Sequence, residues 1–459
     1  MTACIQTPHA GRRWRSALAA AGMAWACALA APAAAAADQT VPGPWNSEAA
    51  ALAARSPLVM SSYAFLLERA GELRDAQLRR ETLDAIGNPQ ACIRHRAGLS
   101  EADKKRIIDR LLQQGLVDAA DEARFPGGLR AGIFPPVPDD GTDCPHLPMP
   151  FYAAPGSAFG SHHSQPGGLP VHEAFNHLSD VSLAGHYRDV YDTLDARGLP
   201  VLRQSKAGRR AHEGRDDDDG DTGASGAFRI DRDAIAAAPM WHDWAKTMVF
   251  QWLADGSEFK ELNFGGAGKV DAWGQPGDSR TGGHHIIGLA EAMKRGLAAD
   301  FVITQASAHS APTLGNEYKV VNWLRAAAVI AQIDPVARGY LVTDAQGRLR
   351  LPALRRLSEA DFNNASSPRV NLLVEYVLHN LSDADYGFTV PAASQVDVLL
   401  QQLAPEYAYN PADVARYNTR FRNPVLSYLS AERLYIVFSN GGLKALRGEL
   451  DKLRRLSII

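Results

Sequence analysis

The sequence predicts a mainly all-α fold, on three observations. Apolar residues recur at helical spacing along much of the chain, as in Leu58, Tyr63, Leu66, Leu67 and Leu73. A helix-start signal, Ser100-Glu101-Ala102-Asp103, precedes such a run at Ile107, Ile108, Leu111 and Leu112. The stretch from Pro239 to about Leu253 is apolar almost all round, with Met240, Trp241, Trp244, Met248, Val249, Phe250, Trp252 and Leu253, and a helix of that kind is buried.

Residues 1–37 differ from the rest. Arg12, Arg13 and Arg15 form a basic start, an apolar run follows from Ala17 to Ala31, and small residues end at Ala35-Ala36-Ala37. That order predicts a secretory signal peptide cleaved before Asp38. The apolar run is too short for a membrane anchor, which needs about 20 residues. Arg15 and Ser16 stand where a twin-arginine signal carries hydrophobic residues. The expectation is an exported protein, periplasmic or secreted. Once the three arginines leave, 45 basic side chains face 51 acidic ones. Such a balance gives no global basic field, which argues against a long nucleic-acid partner. Cys92 and Cys144 are the two cysteines beyond the signal, and an oxidising compartment pairs them as a disulfide.

Residues 38–155 read as an N-terminal helical subdomain, ending in an extended Pro- and Gly-rich connection from Pro126 to Pro155 that Cys144 pins to the helices before it. Residues 156–335 form the central region. Gly167-Gly168 is a turn, and a helix runs from Pro170 through Phe175, Leu178, Val181, Leu183 and Tyr187 to about Leu194. Residues 203–227, with Arg209-Arg210 and Asp216 to Asp219, hold no large apolar residue and read as a flexible insertion. Further helices are expected at His284–Leu297, Phe301–Ala308 and Val320–Ile333. Residues 336–459 read as a helical extension whose sequence is uninformative about chemistry. Helices are expected there at Val370–Leu381, Gln395–Leu403 and Leu443–Leu456, with a short strand at Leu434–Phe438. No segment beyond the signal is long enough to span a membrane.

Histidine is concentrated in the middle of the chain: nine of the 14 lie between residues 162 and 285, and His309 follows. Asp243 and Lys246 sit inside the most apolar stretch. Burying a lone carboxylate costs several kcal/mol, so something compensates Asp243. An ion pair with Lys246, three residues on, is one account and a divalent metal is the other. Adjacent helix positions diverge by about 100°, so His242 and Asp243 can grip one ion or straddle two. Other motifs fail. His172-Glu173 is followed by His177, one residue too late for HExxH, and Gly268-Lys269 lacks the rest of a phosphate-binding loop.

His162-His163 precede Pro166-Gly167-Gly168-Leu169-Pro170-Val171-His172. Then come His242-Asp243-Trp244-Ala245-Lys246, Gly283-His284-His285-Ile286-Ile287-Gly288 and His309. In that order, over about residues 160–335, they resemble the HD superfamily of metal-dependent phosphohydrolases, above all members with a Gly-Gly-Leu-x-x-His opening, some of them exoribonucleases. The resemblance implies an HD-type helical core with N-terminal and C-terminal extensions. In it His172, His242, Asp243, His284 and His309 hold one or two divalent ions (Mn, Fe, Mg, Ni or Zn), and Asp243 and Lys246 serve catalysis. The implied substrate is a small phosphorylated compound such as a nucleotide, a phosphomonoester or phosphodiester attacked by metal-activated water. His284 is preferred to His285 because it stands four residues before Gly288. His163, His177, His186 and His285 are expected around the site or on the surface, and Arg280 on the surface.

Two departures stand out. Ala245 replaces a usual glycine, and no Asp occurs in residues 317–331, where the family's last motif places one. Asn322, Asp334 and Asp383 are the replacements open to it. A catalytically weak or inactive metal- or ligand-binding protein is the alternative reading.

Overall fold

The structure, a computed structural model, describes residues 41–138, 141–203, 230–266, 278–352 and 373–459. The expected signal peptide and residues 204–227 of the expected insertion lie outside the described residues. The described chain is mainly helical, with two small two-stranded sheets.

Local chemistry explains where the first helices begin. After α1 (Trp45–Ala53), Ser56 accepts the Val59 amide at 3.3 Å and Pro57 opens α2 (Pro57–Gly71), where a missing N–H costs nothing. Asp75 caps α3 (Ala76–Gly87) on the Leu78 amide at 2.7 Å. Ser100 and Asp103 form the reciprocal capping box expected ahead of α4 (Glu101–Gln113). The segment from Pro126 to Pro155 is less extended than its composition suggests. After the short α5 (Asp121–Arg124) it forms α6 (Gly128–Ile133), because Leu129 and Ile133 bury together in the core, and a 3-10 turn at Phe151–Ala153. The Cys92 and Cys144 sulfurs lie at disulfide distance, with Cα atoms 5.5 Å apart, and fasten this segment to the helices before it.

α7 (Gly168–Tyr191) packs against α2, against α8 (Arg232–His242) and against α13 (Val374–Ser382). The apolar stretch beginning at Pro239 is not one helix. Pro239 lies within α8, which ends at His242. Asp243 leaves helical geometry with φ −107° and ψ 3°, and a short α9 (Lys246–Val249) follows. The turn serves two buried indoles: Trp241 Nε1 donates to Thr82 Oγ1 and Trp244 Nε1 to the Ala85 carbonyl, each at 2.9 Å, so both N–H groups find acceptors on α3.

β1 (Asn263–Phe264) and β2 (Thr281–Gly282) pair antiparallel and lead into α10 (Gly283–Lys294), which lies along α12 (Glu317–Ala331), with α11 (Ala299–Ala306) between them in sequence. β3 (Val342–Thr343) and β4 (Leu349–Arg350) form the second hairpin. After α13 come α14 (Tyr386–Leu403), α15 (Val414–Tyr417), α16 (Asn423–Leu429) and α17 (Ala431–Arg455), kinked at Gly442. The strand expected at Leu434–Phe438 is therefore helical. Leu434 shares a buried face with Leu446, Leu450 and Leu453, a spacing that a five-residue window does not reveal.

One apolar core runs from Ala49 to Tyr376, and a second gathers residues of α14, α16 and α17. Among the described residues no single helix is long and apolar enough to cross a membrane.

Candidate metal centre

Five separated segments bring their side chains to one buried place. At the start of α7, Gly167 has a φ of +77°, and a Cβ on Gly168 would lie 1.8 Å from the His163 carbonyl oxygen. Glycine there lets the His162–Gln165 loop close against the helix that carries His172. His242 is the last residue of α8 and Asp243 its cap. His284 stands in the first turn of α10, and His309, half-buried, follows α11. The fifth segment is the turn after α13, with Asp383 and Asp385.

Four donor atoms form a closed ring. His172 Nε2 lies 3.3 Å from Asp243 Oδ2 and 3.2 Å from Asp383 Oδ1. His242 Nε2 lies 3.4 Å and 3.3 Å from the same two oxygens. A first-row divalent ion bonded at about 2.1 Å to nitrogen and oxygen sets neighbouring ligand atoms about 3.0–3.4 Å apart. The ring therefore has the edge lengths of one coordination shell. The other oxygen of Asp243, Oδ1, faces a second group. His284 Nε2 lies 3.1 Å from it, and the donor atoms of Asp243, His284 and His309 all fall within 4.8 Å of one another. Asp243 thus presents one carboxylate oxygen to each of two groups that could hold a metal ion.

The imidazoles are oriented for this. His242 Nδ1 meets the Pro239 carbonyl at 3.1 Å, and a carbonyl only accepts, so Nδ1 carries the proton and Nε2 keeps its lone pair. Glu261 Oε1 accepts from His284 Nδ1 at 2.5 Å, and Thr281 Oγ1 lies 2.6 Å from His309 Nδ1. His172 Nδ1 faces Asp385 Oδ2 at 3.5 Å. His172, His242 and His284 thus turn Nε2 toward the carboxylates. His242 Nε2, His284 Nε2 and Asp243 Oδ1 are buried without a hydrogen bond, which fits a donor set made for a cation.

The electrostatics agree. Burial pushes the Asp243 and Asp383 carboxyls up, but the His242 imidazole beside each, with Lys246 on Asp243 and His172 on both, holds them well below the usual carboxylate range. Burial likewise opposes the charged forms of His172 and His242, and the carboxylates around them raise both well above an ordinary histidine. A charge of +1 or more is wanted where these atoms meet. Lys246 Nζ pairs with Asp243 Oδ2 and donates to the Gly156 carbonyl, so the ion pair expected from the sequence is present within the same cluster. Glu173, fully buried 3.5 Å from His242 Nδ1, is pushed up by burial and keeps its proton more readily than an exposed glutamate.

His172, His242, Asp243, Lys246, His284 and His309 thus lie together. Of the three replacements for the absent Asp, only Asp383 belongs to the cluster. Asn322 is engaged with Ser279 and Arg325, and Asp334 caps the Val336 and Ala337 amides. His285 is buried and stacks on His309 at 4.1 Å, and His163 meets Asp385. His177 faces the Ala236 carbonyl, and His186 is exposed. Arg280 is exposed and paired with Asp278.

The region after residue 335, uninformative about chemistry in sequence, reaches the site: the turn after α13 supplies Asp383 and Asp385, and α13 supplies His379, bound to Asp180 at 3.0 Å. Glu173, Glu261 and Asp385 were not legible as site residues. Glu173 lay inside a motif of the wrong length, and nothing local marks Glu261 or Asp385. No family model, no curated protein and no solved structure matches this chain.

Proposed function

We propose that this chain is a metal-dependent phosphohydrolase of the HD type, acting on a small phosphomonoester or phosphodiester. The observation that carries the reading is the ring of His172 Nε2, Asp243 Oδ2, His242 Nε2 and Asp383 Oδ1, with edges of 3.2–3.4 Å, drawn from three distant segments. His172, His242, Asp243 and Asp383 would hold one divalent ion, and Asp243, His284 and His309 a second. Bound there, such ions supply Lewis acidity toward a phosphoryl oxygen and acidify a water molecule.

The chain's own groups do the rest. Lys246, held between Asp243 and the Gly156 carbonyl, places an ammonium beside the Asp243 carboxylate, where it would stabilise the charge that grows on the non-bridging oxygens as the P–O bond breaks. Asp243 orients the attacking water through its second oxygen. Glu261 and Thr281 fix the rings of His284 and His309. His309, half-buried, leaves the second group the more open to a substrate.

Metal analysis of the purified protein, combined with a screen of phosphatase and phosphodiesterase substrates, tests the reading. The expected outcome is stoichiometric divalent metal and a turnover that Asp243→Ala reduces to background. Tight metal with no turnover on any phosphoester would favour the binding-protein alternative, and metal-free, inactive protein would end both.

A further inference from the structure

The paired histidines ahead of α7 have no part in the ring of donors, yet His163 is held at some cost. Its φ of +49° is a left-handed conformation, unfavourable by about 1 kcal/mol or more for a residue with a Cβ. Its side chain is only 5% exposed. The loop is fixed from several sides. The Gly156 amide donates to the His163 carbonyl at 2.8 Å, Arg422 donates to Ser164 Oγ at 3.1 Å, and Ser427 Oγ donates to the Pro166 carbonyl at 2.7 Å.

The conformation directs His163 Nε2 to Asp385 Oδ2 at 3.3 Å. The same oxygen faces His172 Nδ1 at 3.5 Å, and the side chain of Asp385 is also 5% exposed. On its far side, His163 Nδ1 faces Glu432 Oε1 at 3.9 Å, at the start of α17. Imidazole and carboxylate therefore alternate from His172 through Asp385 and His163 to Glu432. His172 offers Nε2 to the ring of donors, so its proton resides on Nδ1, and that proton needs an acceptor.

We infer that Asp385 is the positioning carboxylate of His172, and that His163 holds Asp385 in place for it. This rests on the reading that His172 ligates a divalent ion. Asp385 Oδ2 accepts the Nδ1–H of His172, which fixes the tautomer, stops the ring from turning and makes Nε2 a stronger donor. The strained His163 supplies a second N–H to the same oxygen and keeps it from swinging to solvent. The turn after α13 thereby supplies both a donor, Asp383, and the group that orients His172, Asp385, while His163 and the start of α17 stand behind it.

Co2+ alone, titrated into the full chain, gives the test, with affinity from chelator competition and coordination from the visible absorption band. Asp385→Asn keeps the shape and weakens the acceptor, and outer-shell changes of this kind cost about 10–100-fold in metal affinity. That loss for the tighter Co2+, with a changed band and an unaltered melting temperature of the metal-free protein, is the expected result. His163→Gln retains an N–H donor and stays near the native affinity, whereas His163→Leu follows Asp385→Asn. Native affinity and spectrum in Asp385→Asn would overturn the positioning role, as would equal losses in His163→Gln and His163→Leu. If Asp385→Asn does not fold, the two His163 variants carry the test. Asp383→Asn separates the two ideas: if this variant too binds Co2+ like the native protein, the metal reading itself fails.

Discussion

Glu291 shows what burial demands of a charged residue in this molecule. Its side chain is fully buried, yet it accepts from the Arg94 and His95 amides at 3.1 and 3.0 Å, from His95 Nδ1 at 2.7 Å and from Arg295 Nε at 2.6 Å. Burial pushes its carboxyl up, and His95 and Arg295 outweigh burial, bringing it down to about 2. A carboxyl held below its unfolded value of 4.5 contributes stability above that pH, and the contribution is lost as the pH falls from 4.5 toward 2. His95, lowered chiefly by burial, resists protonation and adds to the acid loss below its ordinary 6.5. Urea midpoints measured against pH should therefore fall steeply between pH 4.5 and 2. Glu291→Gln should lower the midpoint at pH 7 and flatten that fall, and an unchanged slope would contradict the assignment. Asp243 follows the same rule, and here the sequence was informative. A carboxylate among tryptophans and methionines has to be compensated, so its importance was visible, although whether Lys246 or a metal compensates it was not.

At the scale of elements, sequence signals worked where they were local. The Ser100–Asp103 box caps the helix it announces. They worked poorly where a helix end depends on distant partners. Nothing in the apolar run after Pro239 says that the chain turns at Asp243, because the acceptors that fix Trp241 and Trp244 belong to α3. The C-terminal helices are tied to the site in the same non-local manner. Arg422, 1% exposed, makes a two-pronged pair with Asp397 of α14 at 2.7 and 3.0 Å while reaching Ser164 beside His163. Arg422→Leu leaves Asp397 largely buried and unpaired, a change expected to destabilise by about 3–5 kcal/mol. Urea unfolding checks this, and a loss under about 1 kcal/mol would place the pair among those worth no more than a surface ion pair.

For the whole molecule, the disulfide and the two cores set stability. The Cys92–Cys144 link spans 52 residues of sequence, and closing a loop of that size restricts the unfolded chain by roughly 4 kcal/mol. Serine at both positions should lower the unfolding free energy by about that much, and reductant should lower the native midpoint while leaving the double variant unmoved. The first core joins α2, α3, α7, α8, α10 and α12, so the donors on α7, α8 and α10 stand on elements that share one packed interior. That rigidity holds the two groups of donors, joined through Asp243, at the spacings seen here.

The amino-acid sequence alone determined the helical class and the Ser100–Asp103 cap, which follow from short spacings, and it marked Cys92 with Cys144 as a pair and Asp243 with Lys246 as buried charges in need of compensation. His172, His242, His284 and His309 were singled out by the order of their motifs, through the resemblance those motifs carry, and not by composition or spacing. Only the tertiary structure chose Asp383 over Asn322 and Asp334, and only it brought Asp385, Glu173 and Glu261 to the histidines. Asp383 lies 207 residues beyond Asn176, its neighbour in the site. No local pattern encodes a distance that the packing of α13 against α7 creates.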